Sequence, residues 1–258
     1  MSLPDLGFKH TSAGAHASRT LMLSEVGLLL GCFAGEEPTQ AAFREAVIEQ
    51  NGLGKRSAST RVLTWKHLVD LYGVNPNQLV FRGMRWFWER DHGGRPLLAL
   101  SAALSRDGLL ATAAPQIWAL QPGAIASRER LETFVAAKFP GRFSPATLKS
   151  IAQNINASLT QSGHLSGRAR KLREQATPTA GSVAYALLLG YASGARGAEL
   201  FQTRYMKAQD VPVPDCLAMA EGAARQGWLT FKRVGDIIEV DFPQLIRAGE
   251  REAMREQT

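Results

Sequence analysis

From Leu21 to about Gly227 the hydrophobic positions recur at spacings of three and four, and beyond Trp228 they switch to alternation. This pattern predicts a mainly α chain, a helical bundle followed by a winged-helix-like half with a small β-hairpin. Leu21–Phe33 is so dense in apolar residues that burial on every side is expected of the first helix. Thr39 caps a second helix that turns Ala42, Phe43, Ala46 and Val47 inward and stops at Asn51-Gly52. A serine or threonine after Arg56 caps a third, which carries Val62, Leu63, Trp65, Leu68, Val69 and Tyr72 and has Gly73 at its end. Asn75-Pro76 is expected to open a fourth, reaching about Glu89, whose aromatic residues argue for a packed core. Pro96, Asp107 and Ser127 start three more, and Phe139-Pro140-Gly141 reads as a domain boundary.

The next stretch, Phe143 to Arg173, stands apart in its polar positions. Ser144-Pro145 opens a helix of about 145–162 whose apolar stripe is Leu148, Ile151, Ile155 and Leu159, and Gly163 ends it. The opposite side carries Lys149, Gln153, Asn156 and Thr160, with no carboxylate. A charged loop with Arg168, Arg170, Lys171 and Arg173 follows. Thr179 introduces a core helix to about Tyr191, a short helix holds Leu200 to Met206, and Pro214 starts one that Gly227 terminates. Trp228–Arg233 and Ile237–Phe242 alternate as two strands of a hairpin. The expected organisation is a disordered tail over 1–20, a helical domain over 21–141, a second over 142–246 and a frayed tail over 247–258.

Charge changes the picture. The chain carries a net charge of +7 and a pI near 9.7, which favours polyanionic partners. No acidic residue occurs between Thr133 and Arg173, whereas Lys138, Arg142, Lys149 and the four later cations all do. An uncompensated basic surface beside an amide-rich helix suits phosphates and base edges. Lys55, Arg56 and Arg61 form a second basic cluster at a helix N-terminus, where free backbone amides already favour an anion. A solvated helix face is the plainer account of either cluster.

Other classes find less support. No apolar run approaches the roughly 18 residues a membrane span needs, and the first twenty residues contain no signal-peptide core. The two cysteines, Cys32 and Cys216, lie far apart, which fits a reducing, cytoplasmic setting and no zinc ribbon. The five histidines form no metal-binding grouping, and no Walker, GxSxG or GxGxxG pattern occurs, so no cofactor, metal or catalytic residue is assigned. Arg61 and His67 resemble the Arg-x4-6-His pair of the helical HEPN ribonucleases. Six residues along a helix leave such a pair about 120° from sharing a face.

The segments Asn51–Arg61 (NGLGKRSASTR) and Gly190–Gly197 (GYASGARG), with the basic stretch after Gly163, resemble the BrxA-type proteins of bacterial BREX phage-defence systems. The resemblance runs from about Leu21 to Leu245. It implies a small, mostly helical, non-enzymatic protein that binds double-stranded DNA beside larger defence proteins. Charge and helix-face reasoning then supply the contacts. Lys149, Gln153, Asn156 and Thr160 would face a DNA groove, Arg168, Arg170, Lys171 and Arg173 would meet phosphates, and Lys55, Arg56 and Arg61 would add a second backbone contact. A scaffold for acidic protein partners is the alternative reading.

Overall fold

The computed structural model describes residues 2–9 and 14–255 and is mainly helical, at 56% helix. The helices are α1 (Leu23–Gly31), α2 (Gln40–Ile48), α3 (Ala58–Tyr72), α4 (Leu79–Arg90), α5 (Arg95–Leu104), α6 (Gly108–Trp118), α7 (Arg128–Lys138) and α8 (Pro145–Gln161). A hairpin of β1 (Leu165–Ser166) and β2 (Leu172–Arg173) precedes α9 (Ala180–Ala192), α10 (Arg204–Lys207) and α11 (Val213–Arg225). A second hairpin, β3 (Thr230–Val234) with β4 (Ile237–Asp241), and α12 (Ala248–Arg255) complete the chain.

The start signals act as their chemistry requires. Thr39, Ser57, Asp107, Ser127, Ser144 and Thr179 each accept a hydrogen bond from a backbone N–H of the first turn they cap. Gly163, with φ +87°, ends α8 in the left-handed region as expected. Asn75-Pro76 behaves differently. The Asn75 Oδ1 accepts from Asn77 N at 3.0 Å, closing a local turn, so α4 begins only at Leu79.

The helix most deeply placed is α9. Every residue from Gly181 to Gly190 is buried, and the helix packs against α4, α5, α10 and α11. Gly83 of α4 lets it approach: a Cβ there would lie 2.6 Å from Leu188 Cδ2. The Tyr185 hydroxyl donates to Val80 O at 2.8 Å, which satisfies both groups away from water. One hydrophobic core runs from Leu6 to Met254, and α9 packs on helices from before Gly141, so no break in the core marks the expected boundary there. The first helix is also less buried than its composition suggests: Val26, Leu29 and Leu30 face in, while Leu28 and Cys32 face solvent.

Both expected tails are corrected where they are described; residues 1, 10–13 and 256–258 lie outside the described part. Leu6, Phe8 and His16 are buried, and the Val80 N–H donates to Leu6 O at 3.0 Å. At the other end Glu250 and Met254 of α12 are buried, and Glu250 pairs with Arg82 at 2.6 Å. Isolated polar sequence carried no sign of these partners, because each is supplied by a distant part of the chain. No helix among the described residues is long and apolar enough to cross a membrane.

Candidate nucleic-acid interface

The region expected to be a charged loop is a built structure. Gly167, with φ +84°, turns the chain so tightly that a Cβ would meet Arg170 O at 2.2 Å, which only glycine avoids. On its outer side β2 pairs with residues 123–126: Gly123 N donates to Arg173 O at 2.8 Å, Arg173 N to Ala124 O at 2.8 Å and Ala126 N to Lys171 O at 3.0 Å. That pairing fixes the start of α7 beside the arginine-bearing turn. Between them lies a cleft of about 700 Å³. Gln153, Asn156 and Ala157 of α8 form its floor, Ile125 to Glu129 one wall, and Arg168 to Lys171 the other.

The floor is held from behind by the N-terminal segment. The Asp107 carboxylate accepts from the His16 backbone N–H at 3.0 Å and lies 2.8 Å from His16 Nδ1, and His16 Nε2 lies 2.8 Å from Ser158 Oγ on α8. Burial pushes the Asp107 carboxyl up, but the His16 charge and hydrogen bonds from His16 and Leu110 outweigh it and hold the group below its ordinary value. Asp107, His16 and Ser158 thus line up like a nucleophilic triad, yet the donor count opposes that chemistry. The Ser158 hydroxyl donates to Asn154 O at 2.8 Å and accepts from Leu21 N at 2.8 Å, so His16 Nε2 is left to donate to it instead of taking its proton. Ser158 and His16 are also completely buried. They are a structural staple that seats α8.

The predicted contact residues divide into three groups. Gln153, Asn156, Arg168, Arg170 and Lys171 meet in the cleft, with Lys149 exposed on α8 one turn before Gln153 and Thr160 one turn after Asn156. Asn156 is only 5% exposed, and the Thr160 hydroxyl donates back to Asn156 O at 2.8 Å. Of the α8 side, Lys149 and Gln153 are exposed, whereas Asn156 is buried and so does not project as a groove contact would. Arg173 is a second correction. It is buried, forks onto Asp210 with Nη1–Oδ2 at 2.9 Å, and reaches the carbonyls of His164 and Trp118 at 3.4 Å, so it anchors the hairpin and does not present a charge to a ligand. Lys55, Arg56 and Arg61 line no part of the cleft. Lys55 pairs with Glu25 at 3.0 Å and Arg61 donates to Glu49 O at 3.3 Å, while Arg56 is exposed.

On the Arg168–Lys171 turn the charges are all positive, and the cleft's carboxylate, Glu129, lies on the other wall. Arg168 and Arg170 are exposed and have no ion pair or hydrogen bond among the described residues, and Lys171 Nζ donates only to Gly167 O at 2.6 Å. Arg128, by contrast, is taken up by Glu129 at 2.7 Å and Glu132 at 2.9 Å. The first turn of α7 on the facing wall is already capped: Arg130 N donates to Ser127 Oγ at 3.3 Å, and the Glu129 carboxylate takes its own backbone N–H. Asn156 Oδ1 is closed off from solvent and has no donor among the described residues. A second concavity of about 540 Å³ holds Arg82, Arg85, Arg90 and Arg247 around Trp86, but Arg82 is paired with Glu250 and Arg85 with Glu89 at 3.2 Å, which leaves less charge for an incoming anion.

The ribonuclease-like pair is not assembled. His67 is buried in α3, and burial first, then the Arg19 charge, lowers its pKa. Arg61 shares no hydrogen bond with it and bonds to the end of α2. The C-terminal hairpin offers little net charge, since Lys232 lies directly opposite Glu239 at 3.7 Å and Arg251 pairs with Asp241. Sequence reasoning missed Ile125 and the α7 N-terminus as parts of the cleft; the Ser127 cap located the helix start, and only the β2 pairing brings it to the arginines. No protein-family model and no curated protein matches the chain.

Proposed function

We propose that this protein binds DNA, without catalysing its reaction, by receiving backbone phosphates at the cleft between α7, α8 and the β1–β2 turn. The observation that carries the reading is the set of cations there, Arg168, Arg170 and Lys171, to which no carboxylate is paired, while Glu129 on the facing wall is paired with Arg128. Ion-paired arginines elsewhere would have to give up partners before meeting a phosphate; these two arginines would not. Lys149, on the exposed side of α8, extends the positive surface.

The order α9, α10, α11 and the β3–β4 hairpin follows that of a winged helix, and a winged-helix unit is part of the proposal for the fold. It is not assigned the main contact. The exposed residues of α11 include Asp215 and Glu221 against Arg225, a side that repels phosphates more than it attracts them. Work beside larger phage-defence proteins, which the likeness to BrxA-type proteins implies, belongs to the same proposal.

The test is a fluorescence-anisotropy titration of the full chain with duplex DNA, single-stranded DNA and RNA at two salt concentrations, repeated with Arg168→Glu/Arg170→Glu. Binding should weaken steeply with salt, by a log–log slope of roughly −0.7 to −0.9 per phosphate neutralised, and the double variant should lose affinity for all sequences alike. Absent or salt-insensitive binding overturns the reading. Binding to acidic proteins with none to nucleic acid would establish the scaffold alternative instead.

A further inference from the structure

We infer that a nucleic-acid single strand lies along α7, one base laid by its face in an apolar slot beside Phe134 and its phosphates on the cations to either side. The inference rests on the DNA-binding reading and narrows it to the form of the strand. Its starting observation is a second concavity that shares a wall with the cleft, since Ile125 and Ser127 line both. This slot, of about 180 Å³, is lined also by Ile117, Leu120, Leu131 and Phe134, with Arg130 at its edge. Its apolar surface is within reach of a ligand: Ile125 is 47% exposed, and Leu120 and Phe134 are half-buried. The antiparallel bridge between Ile125 and Leu172 of β2 ties the shared wall to the arginine-bearing hairpin, so slot and cleft keep their relative places.

Charge decides what the slot faces. Arg130, Phe134 and Lys138 recur at intervals of four along α7 and so share one side of the helix. Both cations are exposed. The Arg130 side chain has no ion pair or hydrogen bond among the described residues, and Lys138 Nζ lies 5.8 Å from the Phe134 ring centroid. The two carboxylates of the helix, Glu129 and Glu132, are instead engaged by Arg128, at 2.7 and 2.9 Å. Arg168 and Arg170 in the cleft, the slot with Ile125 and Phe134, then Arg130 and Lys138 give the sequence cation, apolar surface, cation. A nucleic-acid strand carries the complement, with a flat ring between successive negative charges. The ring selects the form of the strand. Inside a duplex both faces of each base are covered by stacked neighbours, and only its phosphates can be met. An unpaired base has a face free to lie on Phe134, whichever base it is.

The experiment titrates the full chain with oligo-dT, the same strand carrying abasic sites throughout, an oligo-dA·dT duplex, and polyglutamate of equal charge. Oligo-dT should bind about tenfold more tightly than the abasic strand, the effect of stacking one base on an aromatic ring. Phe134→Ala should abolish that difference and leave salt-dependent binding of the abasic strand and the duplex nearly as it was, while Phe134→Tyr should retain the difference. Equal binding of intact and abasic strands by the unaltered chain overturns the inference and leaves the phosphate reading standing, as does a difference that survives in Phe134→Ala. Polyglutamate bound as tightly as oligo-dT overturns it in favour of an acidic protein segment. Should Phe134→Ala fail to fold, Ile125→Ala, which trims an exposed side chain of the same slot, takes its place, and an undiminished difference there overturns the inference. Binding of no polynucleotide at all overturns both readings.

Discussion

Substituting Arg173 separates anchoring from ligand contact, because four arginine or lysine side chains within six residues have unlike surroundings. Arg173→Met removes a guanidinium that is 3% exposed and leaves the Asp210 carboxylate, 13% exposed, facing the hairpin without its partner. Removing one member of a buried pair costs about 3–5 kcal/mol. At this chain length each kcal/mol moves the unfolding midpoint by about 2 °C, so the variant should melt roughly 6–10 °C lower. Arg168→Ala and Arg170→Ala delete exposed, unpaired side chains and should change stability by less than about 0.5 kcal/mol. Differential scanning fluorimetry with parallel DNA titrations measures both effects. The double variant Arg173→Met/Asp210→Leu should recover part of the loss, because no charge is then stranded although the Ala176 N–H loses its acceptor. An Arg173→Met protein that melts normally yet fails to bind DNA would refute the reasoning and return Arg173 to the interface.

Acidification should loosen the same hairpin. His164 is buried, with Nε2 donating to Ala208 O at 3.1 Å, and burial, aided by the Arg173 charge and opposed by the Asp210 carboxylate, lowers its pKa to about 4. The unfolded chain takes up this proton near 6.5 and the folded one does not, so stability is complete above 6.5 and declines as pH falls toward about 4, by roughly 3 kcal/mol in all. Denaturant midpoints at pH 6.5 and 5.0 should differ less in His164→Gln than in the unaltered chain; an equal difference removes His164 as the cause. Ser158→Ala deletes the hydroxyl shared by His16, Leu21 and Asn154 and leaves a buried N–H unpaired, so a loss of about 1–3 kcal/mol is expected in chemical denaturation. Unchanged stability would show the staple to be dispensable. Gly167→Ala forces a Cβ against Arg170 O, and DNA affinity should fall with the displaced turn more than the melting midpoint does; unaltered affinity would show that the turn's shape is immaterial.

Local signals in the chain already specify much of this molecule. A cap needs only one side chain and the backbone two or three residues on, so Ser127, Ser144 and Thr179 announced their helices without tertiary help. Period-two alternation likewise located the β3–β4 hairpin, and the acid-free run from Thr133 to Arg173 located the residues of the cleft wall. Charge counting failed at Arg173 because a positive residue reads alike whether its partner is water or a carboxylate 37 positions away. The same limit hid His16, whose partners at Asp107 and Ser158 lie 91 and 142 residues distant, and turned an expected disordered tail into a staple. What the fold decided was which cations stay unpaired and which amide is sheltered, since pairing and burial depend on the approach of segments whose separation along the chain says nothing of their distance in space.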